Sequence, residues 1–143
     1  MKIATDANLL VYSDNTSSPY YQVCREFLVK ERENLVVANQ TLFEFIRVVT
    51  HPQYPKRLSL KTALNDVMKY SSLFDIVYET EKDLETFQSL CEKYELGSNR
   101  VFDTKLVATL VNNHISRIAT INEKDFSIFD EIKVVNPSKL AKI

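Results

Sequence analysis

Short β-branched runs alternate along this chain with longer stretches of helical period, and that alternation narrows the fold more than any other feature. Residues 2–5 (KIAT), 35–38 (LVVA), 76–78 (IVY), 117–121 (RIATI) and 132–135 (IKVV) read as strands. A helix is expected over 19–32, with Ser18 as its cap and Pro19 in its first turn. A second covers 41–50 and must stop near Pro52, and a third follows Ser59 to about Ser72. A fourth opens on the capping pattern Thr80-x-x-Asp83 and ends where Gly97 offers a left-handed residue; its apolar stripe is Leu84, Phe87, Leu90, Cys91 and Tyr94. A fifth covers 102–113. Strands separated regularly by helices imply an α/β fold with a mostly parallel five-stranded sheet and helices on both faces. Residues 1–143 read as a single domain.

Several function classes lose their support at once. The only glycine is Gly97, so the glycine-rich phosphate loops of dinucleotide and nucleotide binders are missing. With two histidines and neither GxSxG nor HExxH, serine hydrolases and zinc proteases have no footing. A net charge of −1 argues against a surface that grips nucleic acid everywhere, while leaving room for a local basic patch. No apolar run approaches membrane-spanning length and Met1-Lys2-Ile3 leads directly into a strand, so a cytoplasmic location without membrane contact is expected. Cys24 and Cys91 lie on apolar stripes without CxxC spacing and read as buried thiols. Any catalytic chemistry must come from carboxylates.

In parallel sheets ligands bind beyond the carboxyl ends of the strands, where strand order reverses. Three acids sit in places unusual for solvated charge. Asp6 ends the first strand in IATDANLLVY, between apolar neighbours, where the plain alternative is a helix cap. Glu44 lies in TLFEFIRVV, on a helix whose only polar stripe is Gln40, Glu44, Arg47 and His51; the plain alternative is a Glu44–Arg47 pair. Asp103 opens the 102–113 helix in line with its core stripe of Leu106, Val107, Leu110 and Val111, where the plain alternative is an acid favoured by the helix dipole. Asn122 and Asp125, in TINEKDF, can add oxygens to the same edge, or simply make a turn. Carboxylates gathered at one rim repel each other unless a cation is shared. An all-oxygen set selects a hard ion, Mg2+ with Mn2+ able to substitute.

Together IATDANLLVY, TLFEFIRVVTHP, RVFDTKLVATL and TINEKDF resemble the PIN-domain ribonucleases, and within them the VapC-type toxins of bacterial and archaeal toxin–antitoxin pairs. The likeness runs from Lys2 to about Asn136. It implies a PIN-like (Rossmann-like) three-layer sandwich and a Mg2+-dependent endoribonuclease that leaves a 5′-phosphate and a 3′-hydroxyl. Asp6, Glu44 and Asp103 match the family's core acids, and Asn122 or Asp125 would fill the fourth position. Relatives often carry an acid where this chain has Asn122. Arg47, His51, Arg57, Arg100 and Lys105 border these motifs and are candidates for RNA phosphates, with Tyr12 and Tyr54 as candidates for base stacking. The resemblance also implies a cognate antitoxin and a homodimer. The 59–72 helix (Ala63, Leu64, Val67, Met68) and the 19–32 helix (Tyr20, Val23, Phe27) can offer that partner apolar surface. A catalytically degenerate PIN fold that binds RNA or protein is the main alternative. A receiver-like or dehalogenase-like phosphotransfer domain is disfavoured, because Asp6-Ala7-Asn8 is neither a tandem acidic pair nor DxD.

Overall fold

A computed structural model describes residues 1–140. Five strands form one all-parallel sheet: β1 (Ile3–Thr5), β2 (Leu35–Ala38), β3 (Asp75–Val77), β4 (Arg117–Ala119) and β5 (Lys133–Val135), in the order β3-β2-β1-β4-β5. The chain builds outward from β1 to β3, then crosses back to lay β4 against the other side of β1. The reversal of strand order therefore falls between β1 and β4, in register Ala4↔Ile118 and Thr5↔Ala119.

Alternate residues of the strands feed two cores, as the period of two requires. Ile3, Leu35 and Val37 face a layer made by α1 (Ala7–Asp14), α2 (Tyr21–Lys30), α3 (Asn39–Val49) and α4 (Leu60–Leu73). Ala4, Val36, Ala38 and Ile118 face α5 (Asp83–Tyr94) and α6 (Val101–Asn112). The result is the three-layer, PIN-like α/β arrangement expected from the sequence. Among the described residues no helix is long and apolar enough to cross a membrane.

Five local expectations need correction. Ser18 does not cap the helix expected over 19–32: α2 starts at Tyr21 after Tyr20, which makes no side-chain cap, and Pro19 lies before it. The run ANLLVYSD after Asp6 is a helix, α1, that the periodicity does not reveal: Ala7, Leu9, Leu10, Val11 and Ser13 are buried, so no polar face alternates with an apolar one. The left-handed residue ending α5 is Glu95, at φ 54°, not Gly97, which is extended at φ −171°. Leu84 is 77% exposed rather than part of the α5 core stripe, because Asp83 takes the inward position at the helix start. Cys24 is buried, whereas Cys91 is only half-buried. Short 3-10 turns at Ser98–Arg100 and Glu123–Asp125 complete the rim above the carboxyl ends of the strands.

Candidate active site

Each acid reaches that rim by a different local device. Asp6 follows directly on β1 with an extended backbone (φ −85°, ψ 170°) and caps α1, its Oδ1 accepting from the Leu9 N–H at 2.9 Å. Its Oδ2 accepts from the Thr120 hydroxyl at 2.5 Å, so the carboxylate is pinned across the gap between β1 and the end of β4. Capping and placement at the switch point are thus one geometry. Glu44 projects from the middle of α3, where Gln40 one turn earlier donates Nε2 to its Oε1 at 2.6 Å. Among the described residues no ion pair joins Glu44 to Arg47. Asp103 is the third residue of α6. Asp125 ends the 3-10 turn beyond β4.

Asp6, Glu44, Asp103 and Asp125 line one cleft of about 900 Å3. Gln40, Arg47 and Lys105 line it as well, together with Phe43 and Phe102. The acids feel each other. Burial pushes the Asp6 carboxyl up to about 7, with the charges of Asp125 and Glu44 adding to the rise and the Thr120 and Leu9 hydrogen bonds opposing it. Burial likewise pushes Asp103 up to about 6; Asp125 and Glu44 raise it further, and Arg100 pulls it back. At Asp103, burial and repulsion thus outweigh the pull of the Arg100 charge, which alone would lower the value.

The remaining candidates divide. Arg47 and Lys105 stand in the cleft; Lys105 Nζ donates to Gln40 Oε1 at 3.0 Å. Asn122 is not a lining residue, and its backbone N–H is held by the Thr120 hydroxyl at 3.0 Å. His51, whose Nδ1 accepts from the Gln53 N–H, also lies outside the lining. Arg57 donates to the Thr50 carbonyl at 2.8 Å beside a separate hollow. Arg100 turns inward and donates to the Asp125 carbonyl at 2.9 Å, holding the 3-10 turn that carries that acid. Neither tyrosine singled out reaches the cleft. Tyr12 lies in α1 with its ring 5.2 Å from Tyr20, and the Tyr54 hydroxyl donates to Asp14 Oδ2 at 3.1 Å.

The reading from sequence missed Thr120, Phe43 and Phe102 as site residues, and also Glu79, which lines the cleft beyond β3. For Thr120 and Glu79 the signal was present, since each follows a strand at its carboxyl end. For the two phenylalanines there was none, because a phenylalanine beside an acid reads as core.

The donor chemistry fits a divalent hard cation: every acid offers only oxygens, and burial together with neighbouring carboxylates raises two of them. As the side chains lie, no three acidic, histidine or cysteine groups among the described residues are arranged to close around one ion. Each Asp6 oxygen accepts one hydrogen bond, from Leu9 or Thr120, and Glu44 accepts one from Gln40.

A family model described as PIN domain matches residues 3–132. No match to a curated protein sequence is found. Among solved structures, VapBC from Salmonella typhimurium bound to DNA superposes with a TM-score of 0.72 at 14% identity, covering 96% of this chain and 98% of that one. FitAcB from Neisseria gonorrhoeae gives 0.71 at 18% identity, over 96% and 99% of the two chains. VapC20 from Mycobacterium tuberculosis, a sarcin-ricin loop cleaving toxin, gives 0.67 at 13% identity, over 92% and 99%. At these identities the likeness is one of fold.

Proposed function

The chain belongs to the PIN-domain family, and from that premise we propose that it is a Mg2+-dependent endoribonuclease acting as the toxin of a toxin–antitoxin pair. The observation that carries this reading is the pairing of Asp6 with Asp103. Both are carboxyls at the reversal of strand order, both are raised by burial, and both are raised further by the same two neighbours, Asp125 and Glu44. A scaffold has no use for such a cluster, whose repulsion works against folding.

Asp6 and Asp103 would hold the cation, with Glu44 and Asp125 completing its oxygen shell; Asn122 can orient a water but brings no charge. When bound, a divalent ion supplies an acidified water and neutralises charge on the phosphoryl oxygens. Arg47 would hold a flanking phosphate, and Arg100 would keep Asp125 in place through its backbone carbonyl. Thr120 would fix the orientation of Asp6. The protein partner would rest on α4, where Leu64 and Met68 are 45% and 66% exposed. We also propose the homodimer.

A binding-only PIN fold draws its support from Asn122 and from the absence of a preclosed three-acid centre among the described residues. RNA cleavage assays separate the two readings. Cleavage that requires Mg2+ or Mn2+, stops with a chelator and is lost in Asp6→Asn and Asp103→Asn supports the nuclease. Binding of RNA without metal-dependent cleavage at any Mg2+ or Mn2+ concentration overturns it.

A further inference from the structure

We propose that Phe43 and Phe102 are stacking platforms for unpaired nucleobases in the cleft that holds the acids, an inference that rests on the ribonuclease reading. Both rings are mostly open to water, 64% and 65% exposed, and both line the cleft that contains the acids. Each ring immediately precedes an acid in sequence, Phe43 before Glu44 on α3 and Phe102 before Asp103 on α6. The cleft therefore receives one ring and one carboxylate from each of two helices.

The two helices are braced against each other at this level. Gln40, one turn before Phe43 and Glu44, donates Nε2 to the Phe102 carbonyl at 3.0 Å as well as to Glu44, and its Oε1 accepts from Lys105. One amide thus ties the backbone beneath one ring to the helix that carries the other. A braced pair of exposed rings suits planar ligands better than a flexible apolar chain, since the rings keep their faces available without reorganisation.

Charge decides what those planar ligands are. A cleft lined by five carboxylates repels a polyanion, and the chain has a net charge of −1. The cationic side chains lining the cleft are Arg47 and Lys105, and Lys105 is already engaged by Gln40. A cation at the acids and Arg47 would hold the phosphate facing them, and the flanking nucleotides need contacts that carry no charge. Base–aromatic stacking supplies them and tolerates any sequence, because every base has a π-face. Bases in a duplex already stack on one another and cannot be offered to the rings. The rings would therefore take bases of an unpaired segment that flank the phosphate facing the acids.

The test uses the full chain in chelator, where no cleavage occurs, and follows the fluorescence of 2-aminopurine in a short single-stranded oligoribonucleotide. The same strand annealed to its complement, and an abasic version, serve as competing ligands. Phe43→Ala and Phe102→Ala are each expected to weaken single-strand binding about tenfold to a hundredfold and to abolish fluorescence quenching. The salt dependence of binding should stay as in the wild type, whereas Arg47→Ala should reduce its slope by about 0.7. Phe43→Leu and Phe102→Leu, which keep an apolar side chain without a π-face, should not restore binding. The inference is overturned if the alanine variants bind as tightly as the wild type. It is also overturned if the leucine variants recover full binding, because apolar contact without a π-face would then suffice. In either case Mg2+-dependent cleavage by the wild type would leave the nuclease reading standing. A wild type that neither binds nor cleaves RNA would remove both.

Discussion

Held near 7, the Asp6 carboxyl is close to its own midpoint at neutral pH, and its ionisation works against the fold. The folded value lies above the ordinary 3.8, so between about pH 4 and 7 the native state keeps a proton that the unfolded chain has released. Stability is therefore highest on the acid side of this window, falls as pH rises through it, and carries the whole penalty above 7. A shift of this size corresponds to roughly 4 kcal/mol, shared with the coupled titration of its neighbours. Asp6→Asn can still cap α1 through its amide oxygen. The variant should be more stable than the wild type by about 2–4 kcal/mol at pH 8 in chelator, with the gain shrinking toward pH 4; denaturant unfolding at both pH values measures it. Cleavage should fall at least about a hundredfold in the same variant. Equal stability at pH 8 would mean that Asp6 is not a destabilising charge. The candidate acids were legible in the sequence because a carboxylate in an apolar setting is conspicuous, as at Asp6 and Asp103. Phe43 and Phe102 were not, since nothing local distinguishes a ring facing water from one facing the core.

Among the elements, the strands were legible because LVVA and RIATI are β-branched and bounded by polar turns. α1 was not, because periodicity reports a contrast between two faces and ANLLVYSD buries nearly all of its circumference. The end of α5 shows the same limit for turn chemistry. Glycine is the usual left-handed terminator, yet the chain uses Glu95 there and leaves Gly97 extended with no atom within 4 Å of where a Cβ would stand. Glu95→Gly should therefore stabilise by about 0.4–1 kcal/mol, whereas Gly97→Ala should change stability by less than about 0.5 kcal/mol; thermal unfolding of the two variants distinguishes them. The start of α5 carries a different kind of acid. Asp83 is buried but accepts from Thr109 at 2.6 Å, Asn112 at 2.8 Å and Thr80 at 3.0 Å, stitching α5 to α6. Burial alone would raise it; the hydrogen bonds from Asn112, Thr109 and Thr80 win and hold it below the usual carboxylate range. Its stabilisation is present above about pH 4 and is lost as pH falls through the depressed folded value. Asp83→Ala should cost about 2–4 kcal/mol by leaving buried donors unpaired, read as a lower denaturation midpoint with unchanged metal response.

For the molecule as a whole, only one of the two kinds of buried acid should make the fold respond to a divalent cation. Added Mg2+ should raise the melting temperature of the wild type at pH 8 and of Asp83→Ala, and leave Asp6→Asn in combination with Asp103→Asn unmoved; calorimetric scans with and without the ion decide it. At 100 times its dissociation constant, a ligand confined to the folded state contributes about 2.7 kcal/mol. An equal rise in the double variant would place the ion elsewhere. The sheet order has a further consequence. β1 is central, yet one of its two neighbours is β4, and the Thr120 hydroxyl that pins Asp6 lies 114 residues downstream. A growing chain makes Asp6 long before Thr120, so the carboxylate has only its local Leu9 partner until β4 is laid against β1. The cleft is thus a late product of the fold: a fragment that stops short of β4 carries Asp6 without the strand and the hydroxyl that hold it at the switch point.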